Sequence, residues 1–187
     1  MARSMAAAAA AALVLLTLAG CAGQSVSPAA GGSGITLAQS KSPVQLLRNE
    51  AASRLPSIIA KDVAETGDTS VACLPADADP DGRSRAWHSS LTLLVTNSRA
   101  ASIHAASDDL VASFVEQGWV AADGEGDAAA STPSTVLTNT ASPVTIAVQE
   151  LPKSDDQKAA IRITTVGPCV ATAGEGSDEV LALESSD

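Results

Sequence analysis

The stretch RAWHSSLTLLV, residues 85–95, alternates between core-type and polar side chains, and AASIHAASDDLVASFVEQG follows it at residues 100–118. In the first stretch one face of a two-residue period carries Trp87, Ser89, Leu91, Leu93 and Val95. Such alternation is typical of a β-strand with one buried face. The length of the stretch predicts a central strand of a sheet.

The second stretch has helical spacing. Its apolar stripe consists of Ile103, Ala106, Leu110, Val111, Phe114 and Val115. Asp108 and Asp109 lie largely on the other side, as in a helix that covers a core. Gly118 supplies a left-handed stop, and we expect Trp119 to fold back onto Phe114 as in a Schellman ending.

The remaining segments extend this pattern in both directions. Further strands are predicted at 69–74, 119–122, 134–140, 144–151 and 159–166. Val144, Ile146 and Val148 can face Ile161 and Ile163 across a hairpin with its turn at 153–158. The order predicts an α+β fold, an antiparallel sheet of about five to six strands with two helices packed on one face.

The first helix is predicted to begin at Ser42-Pro43-Val44-Gln45. Ser42 can cap the free N–H groups, Pro43 suits the first helical position, and Gln45 completes a capping box. Pro56 should end or kink the helix because its ring removes a backbone hydrogen bond. Residues 58–63 are predicted to continue it for two turns.

The N-terminus has the form of an exported lipoprotein precursor. Arg3 is followed by an apolar run from Met5 to Leu18, which is too short to cross a bilayer and is typical of a signal peptide. Leu18-Ala19-Gly20-Cys21 resembles the bacterial lipobox, and this resemblance implies cleavage before Cys21 and lipidation of its thiol. The alternatives are a secreted protein cut after Gly20, or a cysteine that merely ends the apolar run.

These features divide the chain into four parts. We predict a signal peptide at 1–20, a lipidated cysteine and flexible tether at 21–41, a single α+β domain at 42–172, and an acidic tail at 173–187. The tail forms one helical turn around Val180 to Leu183 or stays loose.

Composition excludes several partners. The net charge of −10 argues against nucleic acid and anionic lipid head groups, because both would be repelled. Phe114, Trp87 and Trp119 are the complete aromatic set, so few stacking platforms are available for sugars or single-stranded nucleic acid.

Two cysteines remain once Cys21 is assigned to the lipid. An even number in an exported chain predicts a disulfide between Cys73 and Cys169, and the alternative is two buried free thiols. The bridge would tie the first strand to the end of the last one.

An acidic loop contains Asp77, Asp79, Asp81 and Gly82, which match the opening of a calcium-binding loop. His88 stands at the twelfth position, where a bidentate glutamate should close the coordination shell. Asp-Pro-Asp-Gly is also good turn chemistry. We therefore favour a solvated turn over a calcium site, and we expect no cofactor.

No catalytic motif is recognisable in the sequence. His88 and His104 are the only histidines, neither has zinc-ligand spacing, and there is no nucleophile elbow, phosphate-binding loop or C-x-x-C. We expect a non-catalytic protein. An apolar cavity lined by Leu93, Leu110 and Phe114 would favour ligand binding, whereas a filled core would favour an accessory role.

Several short segments, taken together with the lipobox, carry a family resemblance. They are the tether rich in Ser and Gly, Trp-His-Ser-Ser at 87–90, Gly118-Trp119 after a helix, and Gly-Pro-Cys-Val at 167–170. The chain resembles small uncharacterised lipoproteins of high-GC Gram-positive (actinobacterial) type. The resemblance implies a lipid-anchored protein on the extracytoplasmic face of the cell membrane and supplies no activity.

We therefore expect a domain that binds a protein or a small ligand at the cell envelope. The alternatives are a structural or accessory envelope protein, and a hydrolase without a recognisable motif.

Overall fold

The computed structural model of the chain describes residues 34–57, 60–95, 100–124, 134–153 and 158–186. The elements are α1 (Leu37–Arg54), β1 (Ala60–Ala72), β2 (Ser84–Val95), α2 (Ala100–Val115), β3 (Val120–Gly124), β4 (Ser134–Asn139), β5 (Ser142–Leu151), β6 (Ala160–Val166), β7 (Val170–Ala171) and α3 (Asp178–Glu184). The predicted signal peptide, Cys21 and most of the predicted tether lie outside the described residues. So do residues 154–157, at the predicted hairpin turn.

The strands form one antiparallel sheet in the order β1-β2-β6-β5-β4-β3, and the short β7 pairs with β2. The α+β prediction is confirmed. Residues 85–95 are nearly the whole of β2, which lies between β1 and β6. The segment that shows the strongest alternation is therefore an inner strand of the sheet, as predicted.

The register places apolar residues of neighbouring strands directly opposite one another. Leu91 of β2 faces Ile163 of β6, and Ile163 in turn faces Val148 of β5. These residues share the larger hydrophobic core with Ala51 of α1 and Leu110 of α2. The alternation along the strands thus supplies the surface against which both helices bury their apolar residues.

The predicted end of α2 is confirmed in detail. Gly118 has a φ of 86°, Trp119 N–H donates to the Phe114 carbonyl at 3.1 Å, and Gly118 N–H donates to that of Val115 at 2.9 Å. These are the two bonds of a Schellman motif. The rings of Phe114 and Trp119 meet edge to face, with centroids 5.5 Å apart.

The predicted start of α1 is wrong. The helix begins at Leu37, and Thr36 and Gln39 form the capping box, so Pro43 lies inside the helix. Leu37 and Val44 are completely buried. Burial of two such side chains contributes about 3–6 kcal/mol, which offsets the roughly 3 kcal/mol cost of an internal proline. The last five residues of the predicted tether are therefore helical.

The predicted continuation of this helix after Pro56 is also wrong. The helix ends at Arg54, and Leu55 is extended, as expected for a residue before proline. Residues 60–72 then form one strand that pairs with β2 from Ala60 opposite Val95 to Ala72 opposite Arg85. This edge strand is largely exposed, so its sequence lacks the alternation that predicted the inner strands.

A smaller hydrophobic core closes one end of the molecule. It contains Leu37, Val44, Trp87, Val144, Val170 and Val180. Val180 belongs to α3, so the C-terminal segment forms a helix that docks on the domain. Lys41 connects α1 to this region, since its ammonium donates to the Leu183 carbonyl at 2.8 Å and lies 4.7 Å from the Trp87 ring centre.

The predicted disulfide is confirmed. Cys73 and Cys169 are bonded, with their Cα atoms 6.0 Å apart. Cys73 directly follows β1, and its N–H donates to the Ser84 carbonyl at 2.8 Å. The bridge therefore fastens the end of β1 to the segment between β6 and β7.

Candidate functional site

The three residues proposed to line an apolar pocket belong to the larger core. Leu93, Leu110 and Phe114 are 8, 2 and 1% exposed and pack among the other residues of that cluster. A ligand cavity at this position stays a prediction, and the cleft beside α2 is lined by other side chains.

The acidic loop uses its carboxylates to build a turn. Both oxygens of Asp79 accept backbone hydrogen bonds, from Arg83 N–H at 3.0 Å and Ser84 N–H at 2.7 Å, and these bonds hold its pKa below the ordinary value. Asp81 pairs with the Arg83 side chain at 2.9 Å. In the described parts of the chain, no three His, Cys, Asp or Glu residues are grouped to hold a metal. The contacts of the loop therefore support the solvated turn, which the sequence analysis favours over a calcium site at Asp77, Asp79 and Asp81.

His88 lies on the sheet face opposite that of Trp87. Its neighbours across the strands are Thr69 of β1 and Val166 of β6, and its side chain is partly buried. Burial lowers the pKa of this imidazole, and the charge of Asp68 opposes the shift only in part. Burial of His88 in the sheet face therefore favours the neutral form of its imidazole.

His104 stands in a different environment on α2. Its Nδ1 is 2.9 Å from a Glu150 carboxylate oxygen, and its Nε2 is 3.4 Å from Asp108. The hydrogen bond to Glu150, followed by the charges of Asp108 and Glu150, raises the pKa of the imidazole. Carboxylates therefore engage both ring nitrogens and favour the charged form, which suits an ion pair and not a general base.

His104 is one wall of a cleft between α2 and the strands β3 to β5, with a volume of about 320 Å³. We call it the α2 cleft. Its lining residues are His104, Ser107, Asp108, Val111, Asp123, Ser134, Thr135, Val148 and Glu150. The sheet register explains its floor, because Asp123, Thr135 and Val148 stand opposite one another on three successive strands.

Ser107 gives the α2 cleft an unusual feature. The residue is 5% exposed, and its hydroxyl is buried without a hydrogen-bond partner among the described residues. A buried hydroxyl without a partner costs about 1–3 kcal/mol. Burying such a group beside a cleft is consistent with a hydrogen bond that forms only when a ligand is present.

The cleft lies far from the end of the domain at which the chain enters. Leu37, at the start of α1, packs with Val144 of β5, whereas the cleft residue Glu150 lies six positions further along the same strand. At about 3.3 Å per residue, the cleft residues Val148 and Glu150 lie roughly 13–20 Å along β5 from Val144. A tether leading into α1 would therefore join the domain at the opposite end of β5 from the α2 cleft.

The sequence did not predict this site because its residues come from four elements with no common motif. One signal was present, since His104, Ser107 and Asp108 follow i, i+3, i+4 spacing and so share one helix face. Asp123 and Glu150 join them only through the strand pairing, which a single sequence does not reveal.

A second polar group, outside the cleft, fastens α3 to the sheet. Arg85 is 4% exposed, and it donates to the Ser70 hydroxyl at 2.7 Å and to the Ser70 carbonyl at 2.9 Å. Glu184 of α3 accepts from the Ser70 N–H at 2.9 Å and from its hydroxyl at 2.8 Å. Glu184 thereby occupies an edge N–H of β1, which protects that edge from pairing with another strand.

Comparisons with known proteins find no match for this chain, whether with family models, curated proteins or solved structures.

Proposed function

We propose that this chain is a lipid-anchored, extracytoplasmic domain that binds a small ligand without catalysis, and that the α2 cleft is its binding site. The observation that carries the proposal is the buried, unpartnered Ser107 hydroxyl in a cleft walled by charged side chains. Most polar groups in protein interiors find a partner, so an exception beside a cleft points to a ligand.

Two features support the extracytoplasmic address. The Leu18-Ala19-Gly20-Cys21 lipobox after an apolar run is typical of an exported lipoprotein, and the Cys73–Cys169 disulfide is typical of an oxidising compartment. Among the described residues no helix is both long and apolar enough to cross a bilayer. The address also fits the proposed kinship with small actinobacterial lipoproteins.

The environment of His104 argues against the hydrolase alternative. A serine hydrolase needs an imidazole with one nitrogen free to accept the serine proton. Here both nitrogens face carboxylates at 2.9 and 3.4 Å, which favours imidazolium. A non-catalytic role is therefore the better proposal for this cleft.

An accessory envelope role is the second candidate. The packing of Leu93, Leu110 and Phe114 in the larger core favours this role, because a filled core was expected for an accessory protein. This role predicts that the α2 cleft stays without a ligand.

The address is tested with Cys21→Ser in the full-length chain. We expect an uncleaved or soluble product, with loss of the mass added by lipid. Unchanged membrane partitioning and an unchanged mass would refute the anchor.

The binding role is tested by NMR with a library of small polar fragments that includes cations, neutral molecules and anions. We expect amide shifts at Ser107, Asp123, Thr135 and Glu150 that saturate with fragment concentration. Absence of saturable shifts at these residues for every fragment would refute the role and favour the accessory alternative.

A further inference from the structure

The charges of the α2 cleft are unbalanced. Three carboxylates from three elements line it, from Asp108, Asp123 and Glu150, and among its described lining residues only His104 can carry a positive charge. The cleft therefore has a net negative charge whether or not His104 is protonated. Negative walls attract cations and repel anions.

The cleft is also partly apolar. Val111 of α2 and Val148 of β5 contribute hydrocarbon surface beside the carboxylates. A bare metal ion would gain nothing from such a surface, and the described residues hold no metal-binding group of three His, Cys, Asp or Glu side chains. The arrangement suits a molecule that has a hydrocarbon part as well as a positive charge.

Ser107 supplies the polar group that would fix the orientation of such a molecule. Its hydroxyl is buried and unpartnered, and Ser134 and Thr135 belong to the lining of the same cleft. A volume of about 320 Å³ is at the lower end of the range for ligand pockets. The ligand must therefore be small.

We propose that the α2 cleft binds a small organic ammonium compound, with the ammonium between the carboxylates of Glu150 and Asp123 and a short hydrocarbon stem against Val111 and Val148. This inference rests on the proposed function and adds the ligand class. On binding, the ammonium competes with the His104 side chain for Glu150, which His104 contacts at 2.9 Å.

The test compares three probes of similar size, n-butylammonium, n-butanol and butyrate, by NMR titration of the full-length chain at low salt. We expect the shifts of the cleft amides to give a Kd for n-butylammonium that is at least tenfold lower than the Kd of either other probe. Glu150→Gln and Asp123→Asn should each weaken its binding about tenfold or more, which is the loss of one charge-assisted hydrogen bond. The matched controls Glu179→Gln and Asp77→Asn remove exposed carboxylates elsewhere and should change binding less than twofold.

Each outcome decides between the claims. Equal binding of butanol or butyrate would overturn the ammonium class and leave the cleft as a binding site. No shifts at the cleft with any of the three probes would overturn the ammonium class, and the absence of shifts with the fragment library as well would overturn the binding role. If Ca²⁺ displaces n-butylammonium at comparable concentration, the site recognises charge alone and the organic part of the proposal is wrong. Binding of n-butylammonium that Glu150→Gln leaves unchanged would place the ligand elsewhere.

Discussion

Replacing Asp68 with asparagine should destabilise the domain strongly, because it leaves a buried arginine without its counter-ion. Arg48 of α1 donates to the Asp68 carboxylate of β1 at 2.7 Å, and the two side chains are 10 and 11% exposed. Trp87 Nε1–H donates to the second oxygen at 3.3 Å. The pair therefore fixes α1 onto the edge of the sheet beside the smaller hydrophobic core.

The size of the effect follows from burial. Removing one partner of a fully buried pair costs about 3–5 kcal/mol, whereas exposed pairs contribute less than about 1 kcal/mol. Because these side chains are about nine-tenths buried and asparagine can keep a neutral hydrogen bond, we expect a loss of about 2–4 kcal/mol. For a domain of this size that is a fall in melting temperature of roughly 5–15 °C.

The pH dependence has a definite sign. Burial raises the pKa of Asp68, but hydrogen bonds to its carboxylate, including those from Arg48 and Trp87, lower it below its ordinary value. A depressed carboxyl pKa stabilises the fold above the unfolded pKa of about 3.9, and this stability is lost as the pH falls through the folded pKa. The difference in stability between wild type and Asp68→Asn should therefore be full at pH 7 and shrink below about pH 4.

Urea unfolding monitored by tryptophan fluorescence measures these quantities. Asp77→Asn is the matched control, since it removes an exposed loop carboxylate and should change stability by less than about 0.5 kcal/mol. In the double variant Arg48→Met/Asp68→Asn the loss should be smaller than the sum of the single losses. The reasoning is refuted if Asp68→Asn costs no more than Asp77→Asn, or if its cost is the same at pH 3 as at pH 7.

Three further results are expected from the other polar and covalent contacts. Replacing Cys73 and Cys169 with alanine should cost about 4–5 kcal/mol, because the bond closes a loop with a sequence separation of 96; a melting temperature unaffected by this change or by reduction would contradict that value. Glu184→Ala should lower the free energy of unfolding by about 1–2 kcal/mol and speed hydrogen exchange at the Ser70 amide. Glu179→Ala is the control, and an unchanged exchange rate at Ser70 in Glu184→Ala would show that α3 does not protect this edge. In an NMR titration, the imidazole of His88 should titrate below pH 6.5 and that of His104 above it. Glu150→Gln should lower the pKa of His104, and two coincident titrations in the wild type would rule out the described environments.

The sequence predicted the elements whose side chains are buried in the core, and it missed most of an exposed strand. The alternation of Leu91, Leu93 and Val95 and the stripe ending at Phe114 predicted β2 and α2 nearly to the residue, since those side chains are buried. β1 was missed over most of its length because its first half is exposed and takes its structure from pairing with β2. The hydrophobic pattern of a segment reflects which of its side chains are buried, and few side chains of this edge strand are buried.

The start of α1 failed for another reason. Two capping boxes follow each other, Thr36 to Gln39 and Ser42 to Gln45, and local chemistry favours the second because Pro43 suits a first helical position. The contacts of Leu37 with the smaller core decide for the first. These contacts involve Val144 and Val180, which lie more than a hundred residues away in the sequence, so local reasoning could not have found them.

The distribution of cross-links is consistent with the ligand exchange that we propose for the α2 cleft. The Cys73–Cys169 bond and the group formed by Arg85, Ser70 and Glu184 lie around the smaller core, where α1 begins. The cleft is built at the other end of β5, from exposed His104 and Asp108 side chains with hydrogen bonds and ion pairs that can rearrange. A ligand that displaces His104 from Glu150 would break one exposed contact and leave the cross-linked end intact. If the tether anchors that end to a membrane, the anchored end and the proposed ligand site lie at different positions along β5.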